Sequence, residues 1–133
     1  MSADALPVVL ERIRDMARQA DGLELLVLFG SRARGDAHAA SDWDFGYLAT
    51  PTADITGLLA ALVEIAGTDR VDLVDLDRAS GVLRFRAARD GCVVYEHTPG
   101  RGNAFRLEAA HFWCDMSPVF TPGQADVLAR LDR

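Results

Sequence analysis

The chain has 133 residues, which at about 150 residues per domain predicts one domain. Half of its residues are hydrophobic and 26% are charged, values that are typical of a soluble globular protein and exclude a disordered or collagen-like chain. The 14 basic and 20 acidic side chains give a net charge of −6, which disfavours nucleic-acid binding by the molecule as a whole.

All 14 basic residues are arginine. The lack of lysine excludes the phosphate-loop lysine, Schiff-base chemistry and Ser–Lys nucleophile pairs. Two cysteines, Cys92 and Cys114, are too few for a zinc knuckle or a disulfide framework, and Cys92 is expected to be buried in a strand. With no secretory signal and no long apolar segment in the sequence, we expect a cytoplasmic protein with reduced thiols and no membrane contact.

Apolar periodicity predicts helices alternating with short strands, and therefore an α/β domain with one central sheet. Asp4 is the predicted N-cap of the first helix. Helices are predicted over Leu6–Ala20, Asp54–Ala66, Ala79–Arg89, Ala104–Met116 and Gly123–Leu131, with a short helix inside Gly30–Ala40. Strands are predicted over Leu25–Phe29, Asp42–Ala49, Val71–Leu76 and Cys92–Glu96.

The Pro99–Gly102 stretch is the clearest linker signal in the chain. It divides a core of residues 1–98 from a C-terminal helical extension of residues 99–133. We expect the extension to pack on the core, so that the two parts form a single domain.

The segment from Gly30 to Asp44 carries the clearest chemical signal. A buried strand ends in Gly30-Ser31, and the next strand opens with Asp42-Trp43-Asp44. Alternate residues of a strand share a face, so the two carboxylates are expected ~6.6 Å apart on one side. Carboxylates at that spacing repel each other, and a hard dication such as Mg²⁺, shared with substrate phosphates, relieves the repulsion. The Gly-Ser turn offers backbone N–H groups and a hydroxyl that suit those phosphates.

A site with two metal ions usually needs a third carboxylate. The strand around Val71 offers Asp72 and Asp75, each flanked by apolar residues. Their odd separation places them on opposite faces of a strand. Only one of them is therefore expected to face Asp42 and Asp44.

These motifs together resemble the DNA polymerase β-type nucleotidyltransferase superfamily. The shared pattern is Gly-Ser, ten residues, Asp-x-Asp and a later apolar-Asp-apolar strand. The forms Gly-Ser-x-Ala-Arg-Gly, Ser-Asp-x-Asp and Val-Asp-Leu-Val are similar to its minimal (MNT) branch. The resemblance covers about residues 6 to 96 and implies a small mixed sheet flanked by helices.

The resemblance also implies a set of site residues. Asp72 would be the third carboxylate, placed to help deprotonate an acceptor hydroxyl. In the absence of lysine, Arg34, or alternatively Arg32, would reach the β and γ phosphates of a nucleotide. The nucleotide-binding residues would be Gly30, Ser31 and Arg34, and the catalytic and metal-binding residues would be Asp42, Asp44 and Asp72, holding two Mg²⁺ ions.

Minimal nucleotidyltransferases are often encoded beside a small helical HEPN-domain protein. In such pairs the nucleotidyltransferase is the antitoxin, and it silences the HEPN ribonuclease by transferring AMP from ATP to a tyrosine. The resemblance therefore implies a metal-dependent protein adenylyltransferase with a HEPN toxin as its partner. Two departures are mild, since Trp43 stands where an aliphatic residue is commoner and Gly46 is expected to loosen its strand.

Two other functions stay open. The acceptor hydroxyl could belong to a small molecule, as in antibiotic-modifying relatives, although we expect no separate acceptor-binding domain of their kind in this chain. Alternatively, the chain could neutralise a partner by binding alone. The short C-terminal segment is expected to leave the active site open, so that a partner supplies its other wall. An apolar group in that segment could form part of the interface or of the core: Phe105, Phe112, Trp113, Met116 and Phe120.

The arginine-rich run Arg84–Arg89 has two interpretations. It could be a local patch that binds nucleic acid or a partner. A solvated helix face is the interpretation that we favour, given the acidic total charge.

Overall fold

The computed structural model of the chain describes residues 6–35 and 41–116, and side chains as far as residue 110. The predicted Asp4 cap, the predicted helix Gly123–Leu131 and the side chains of Phe112, Trp113, Met116 and Phe120 lie outside the described part. The elements in chain order are α1 (Leu6–Ala17), β1 (Leu23–Phe29), α2 (Ser31–Arg34), β2 (Trp43–Ala49), α3 (Ile55–Ala66), β3 (Val71–Asp75), α4 (Gly81–Asp90), β4 (Cys92–Glu96) and α5 (Arg101–Met116).

The four strands form one mixed sheet in the order β3-β2-β1-β4. β1 pairs antiparallel with β2 and with β4, whereas β2 and β3 run parallel. Helices cover both faces of this sheet. The α/β prediction with a small mixed central sheet is confirmed.

Each face of the sheet has its own hydrophobic core. The apolar stripes of α1 and α3, with Ile13 and Leu62 fully buried, pack on the face that presents Leu26, Trp43 and Phe45. The opposite face presents Leu25, Val27 and Phe29 to α4 and α5. β1 is buried on both sides, as its continuous apolar run predicts.

Helix ends follow ordinary capping chemistry. The Asp54 carboxylate accepts a hydrogen bond from the Gly57 amide at 2.9 Å at the start of α3. The Ser80 hydroxyl accepts one from the Leu83 amide at 3.2 Å at the start of α4. α3 ends at Gly67, whose φ of 73° is left-handed, and glycine adopts this conformation without strain.

The linker prediction is wrong at its C-terminal half. Arg101 and Gly102 already belong to α5, and Gly102 is buried where a side chain would run into Val93. Phe105 is buried at 1% exposure in the core beside α4, so it belongs to the core and not to an exposed interface. The division of the chain at residues 98 and 99 stays a prediction.

Two further expectations from the sequence are corrected by packing. Cys92 is exposed at the start of edge strand β4 and is not a core residue. Gly46 is buried, and its missing side chain leaves the space that Leu76 fills. Gly46 therefore permits close packing rather than loosening the strand.

Within the described ranges, no helix has both the length and the apolar character needed to span a bilayer.

Candidate active site

Three acidic residues lie together at one end of the sheet. Asp44 in β2 and Asp72 in β3 are directly paired in the parallel register. Trp43 and Phe45 point into the core on the other side, so Asp44 projects from the face that α4 and α5 cover in part. Asp42 lies two residues before Asp44 and is close enough for its charge to act on it. Asp42 and Asp72 therefore both lie close enough to Asp44 for their charges to act on it.

Asp44 is the electrostatic centre of this acidic cluster. Its partial burial, followed by the charges of Asp72 and Asp42, raises the pKa of its carboxyl above the ordinary value. Arg86 and Arg34 act in the opposite direction and offset part of the increase. The ionised form of Asp44 is thus disfavoured by burial and by its acidic neighbours, and a bound cation would stabilise it.

Gly30 brings the Gly-Ser turn directly against Asp44. It follows Phe29, the residue of β1 that pairs with Asp44, and its φ of 77° and ψ of −158° suit glycine alone. A side chain at this position would collide with Oδ2 of Asp44. α2 starts at Ser31 with no side chain capping it, and Ser31 is only partly buried. The turn therefore lies directly against the Asp44 carboxylate.

The sheet register distinguishes the two candidates for the third carboxylate. Asp75 pairs with Tyr47 and lies on the face opposite to Asp44. Its carboxylate accepts a hydrogen bond from the Asp77 amide at 2.9 Å, and, after burial, its charge contributes to raising the pKa of Tyr47. Asp72 is exposed and lies beside Asp44. Asp72 is thus the candidate that the fold brings to the cluster.

The two arginines of α2 have different environments. Arg34 is exposed, and its charge lowers the pKa values of Asp44 and Asp90. Arg32 is buried at 7% exposure, with its guanidinium over the Trp43 ring. Arg34 is therefore the one that is open to a bound phosphate.

Arg86 of α4 is a site residue that sequence reasoning missed. It is only partly exposed, its charge acts on both Asp44 and Asp90, and its Nε is buried without a hydrogen-bond partner in the described part of the chain. The interpretation of Arg84–Arg89 as a solvated face is wrong for this residue. It is also wrong for Arg84, which lies over the Phe105 ring and 3.9 Å from Glu108. The sequence signal for Arg86 is its place in the helix. It directly precedes Ala87, which is buried on the face of α4 that meets the sheet.

The donors at this site suit a hard cation. They are carboxylate oxygens, and their mutual repulsion raises the pKa of Asp44. Among residues 6–35 and 41–116, however, no three acidic, histidine or cysteine side chains converge closely enough to enclose a metal ion. Magnesium is ordinarily held by one or two carboxylates and completed by substrate phosphates and water, so the residues fit a shared site rather than a closed cage.

Comparison with known proteins identifies the class of this fold and site. The family model for polymerase beta nucleotidyltransferases matches residues 11–99. That match spans β1 to β4, with the Gly-Ser turn and all three carboxylates. The chain belongs to the polymerase beta nucleotidyltransferase family.

The similar proteins of this family include antitoxins. The chain is 41% identical over 91 residues to the protein adenylyltransferase MntA of Aphanizomenon flos-aquae (strain 2012/KM1/D3), and the match covers 59% of each chain. A toxin–antitoxin structure with AMP-PNP matches at 26% identity and a TM-score of 0.60, covering 90% of this chain and 95% of that one. A tri-AMPylated Shewanella oneidensis HEPN toxin in complex with an MNT antitoxin matches at 26% identity and a TM-score of 0.61, covering 85% and 93%.

Proposed function

We propose that the chain is a metal-dependent nucleotidyltransferase that transfers AMP from ATP to a hydroxyl of a HEPN toxin, with tyrosine as the acceptor residue, and so acts as an antitoxin. The observation that carries the proposal is the pairing of Asp44 with Asp72, next to the Gly30-Ser31 turn, in a chain of this family. Similarity to a protein adenylyltransferase and to chains of HEPN–MNT complexes supports the acceptor class. ATP and magnesium are available in the cytoplasm, where we place the reaction.

The nucleotide is bound on the side of the Gly-Ser turn. Gly30 has no side chain, so the turn lies directly against the Asp44 carboxylate, and the Ser31 hydroxyl is available to donate a hydrogen bond to a phosphate oxygen. Arg34 is exposed beside this turn, and Arg86 faces the same carboxylates from α4. Two guanidinium groups on different elements supply the positive charge that lysine supplies in many nucleotide sites.

The acidic cluster performs the chemistry. Asp42 and Asp44 would hold magnesium together with the phosphates, and Asp72 would complete the set from the neighbouring strand. Held there, magnesium would supply the positive charge that lowers the pKa of an attacking hydroxyl and stabilises pyrophosphate as it leaves. Asp72 is exposed, so it is the carboxylate best placed to accept the proton of an incoming hydroxyl. The bond formed joins the acceptor oxygen to the α phosphorus, and the bond broken releases pyrophosphate.

The openness of the site favours a protein acceptor. Asp42 and Asp72 are exposed, and β3, which carries Asp72, is an edge strand of the sheet. An acceptor that approaches this edge meets the carboxylates directly. A folded partner is therefore able to cover this edge of the described sheet.

The test is AMP transfer to the partner. We expect a HEPN protein to be encoded beside this chain. The full chain, incubated with ATP, Mg²⁺ and that protein, should add AMP to it, as measured by intact-mass spectrometry. Asp44→Asn is the inactive control. An unmodified partner under a range of divalent metals contradicts the proposal. Silencing of the partner by an Asp42→Ala/Asp44→Ala variant would instead support neutralisation by binding alone, and modification of an aminoglycoside without any partner would support a small-molecule acceptor.

A further inference from the structure

Arg32 occupies an unusual position for a charged residue. Its side chain is only 7% exposed, although arginine is rarely buried unless it is paired. Burial lowers its pKa, and the nearby charge of Asp42 counteracts this effect. A buried guanidinium beside an acidic cluster needs specific contacts to be tolerated.

The contacts of Arg32 connect α2 to the start of β2. The guanidinium carbon lies 4.2 Å from the centroid of the Trp43 ring, and Nη2 donates a hydrogen bond to the backbone carbonyl of Ser41 at 2.7 Å. A planar guanidinium is able to stack on a ring and donate in its own plane at the same time, which a lysine ammonium cannot do. Arg32 therefore contacts both neighbours of Asp42 in the chain, Ser41 and Trp43.

Trp43, on which Arg32 stacks, is itself held in place by its neighbours. Trp43 is fully buried and stacks on Phe45, with ring centroids 6.1 Å apart and planes 5° from parallel. The Trp43 amide donates a hydrogen bond to the carbonyl of Arg70 at 2.9 Å, which ties β2 to the start of β3. The stack thus links the Gly-Ser turn through Arg32 to the sheet, with Asp42 between the two points of contact.

We propose that Arg32 is a positioning residue: by stacking on Trp43 and holding the Ser41 carbonyl, it fixes the backbone that presents the Asp42 carboxylate, and so sets the affinity of the site for a metal–nucleotide. This inference rests on the proposed function. It replaces the alternative in which Arg32 reaches the phosphates itself, because its guanidinium is buried and faces Ser41 and Trp43.

Arg14 provides a matched control. It also donates from its guanidinium to a backbone carbonyl, that of Val94 at 2.9 Å, and it is also partly buried. Its contact lies at the β4 edge of the sheet, whereas Asp42 precedes β2. Arg14→Lys reproduces the chemical change of Arg32→Lys at a position that does not border Asp42.

The experiment is a double-mutant cycle on nucleotide binding. Calorimetry on the full chain measures the Kd for a non-hydrolysable ATP analogue with Mg²⁺. Arg32→Lys, and Arg32→Met as an apolar variant of similar size, should weaken binding about tenfold, by analogy with residues that orient metal ligands. Arg14→Lys should leave Kd unchanged. In an Asp42→Asn background, Arg32→Lys should cause no further loss, because the effect passes through Asp42.

Hydrogen exchange supplies a readout that is independent of catalysis. We expect faster exchange of the Asp42 and Trp43 amides in Arg32→Lys and no change there in Arg14→Lys. An unchanged Kd in both Arg32 variants overturns the inference. An equal loss in the wild-type and Asp42→Asn backgrounds also overturns it, because Arg32 would then act on the nucleotide or on the fold at large. Failure of the proposed function would give a different result from failure of this inference. The wild type would bind the nucleotide and the double-mutant cycle would give the expected values, but no AMP would be transferred to a partner.

Discussion

Asp44 of β2 and Asp72 of β3 are cross-strand partners in the only parallel pair of the described sheet, and each carboxylate lies within reach of the other's charge. Like charges that are directly opposite on one face destabilise a sheet. The chain keeps this pair at one end of the sheet, where the Gly30 backbone closes on Asp44. The folded state therefore maintains an unfavourable arrangement at the position where the proposed reaction requires it.

The first prediction separates stability from activity at Asp44. Its pKa is raised in the folded state, so above that pKa the ionised carboxylate destabilises the folded state relative to the unfolded chain. We expect Asp44→Asn to raise the Tm near neutral pH. The same variant should lower AMP transfer by roughly 100-fold or more, since a metal–phosphate interaction is worth several kcal/mol in the transition state. Calorimetry and a transfer assay on one preparation measure both effects, and a lower Tm would contradict the electrostatic account.

The second prediction concerns the choice between Asp72 and Asp75. Asp72 lies beside Asp44, whereas Asp75 lies on the opposite face with the Asp77 amide as its hydrogen-bond donor. We expect Asp72→Asn to reduce kcat strongly, because the acceptor hydroxyl loses its proton acceptor. Asp75→Asn should retain nearly the full rate. Steady-state kinetics give kcat for both variants, and a larger decrease of kcat in Asp75→Asn would assign the third carboxylate to Asp75 instead.

Periodicity predicts the α/β fold and which acidic residues share a face of a strand. The continuous apolar run of β1 predicts a strand that is buried on both faces, and the Asp-x-Asp spacing places Asp42 and Asp44 on one side. Between Asp72 and Asp75, parity shows only that they face opposite ways. The register of β2 against β3 is a non-local pairing, and this pairing selects Asp72.

The errors arise where long-range packing overrides local pattern. In the sequence Arg86 is one charge in a basic run, and the effect of its charge on Asp44 depends on how α4 packs on the sheet. Cys92 has a strand-like sequence context, but β4 is an edge strand and Cys92 begins it. Gly46 suggests a weak strand until Leu76 is seen to fill its space. In each case the environment of the residue is set by parts of the chain that are distant in sequence.

The third prediction concerns pH. Nucleotide binding with Mg²⁺ requires ionised carboxylates, so affinity should fall as pH decreases through the raised pKa of Asp44. Arg86 lowers that pKa, and Arg86→Met should therefore move the acid limb of the binding profile to higher pH and weaken binding at neutral pH. Arg78→Met is the control, because Arg78 is almost fully exposed beside Asp75 on the opposite face. An acid limb that moves equally in both variants would show a general charge effect rather than a local one.

The last prediction tests the contact between the Gly-Ser turn and Asp44. Gly30 and Gly67 both have left-handed φ values, 77° and 73°, but a side chain at Gly30 meets Asp44, whereas at Gly67 it meets open space. Alanine at Gly67, whose backbone is in the left-handed helical region, should cost about 1–2 kcal/mol of unfolding free energy. Alanine at Gly30 should cost at least as much, about 1–3 kcal/mol, because its ψ of −158° lies in a region that is open essentially to glycine alone. Only Gly30→Ala should also displace the carboxylate, and a displacement of that kind lowers transfer by up to about 100-fold. Denaturant unfolding and transfer rates measured on both variants separate the two contributions. Equal transfer rates in Gly30→Ala and Gly67→Ala would mean that the fit of Asp44 against the turn does not matter for the reaction.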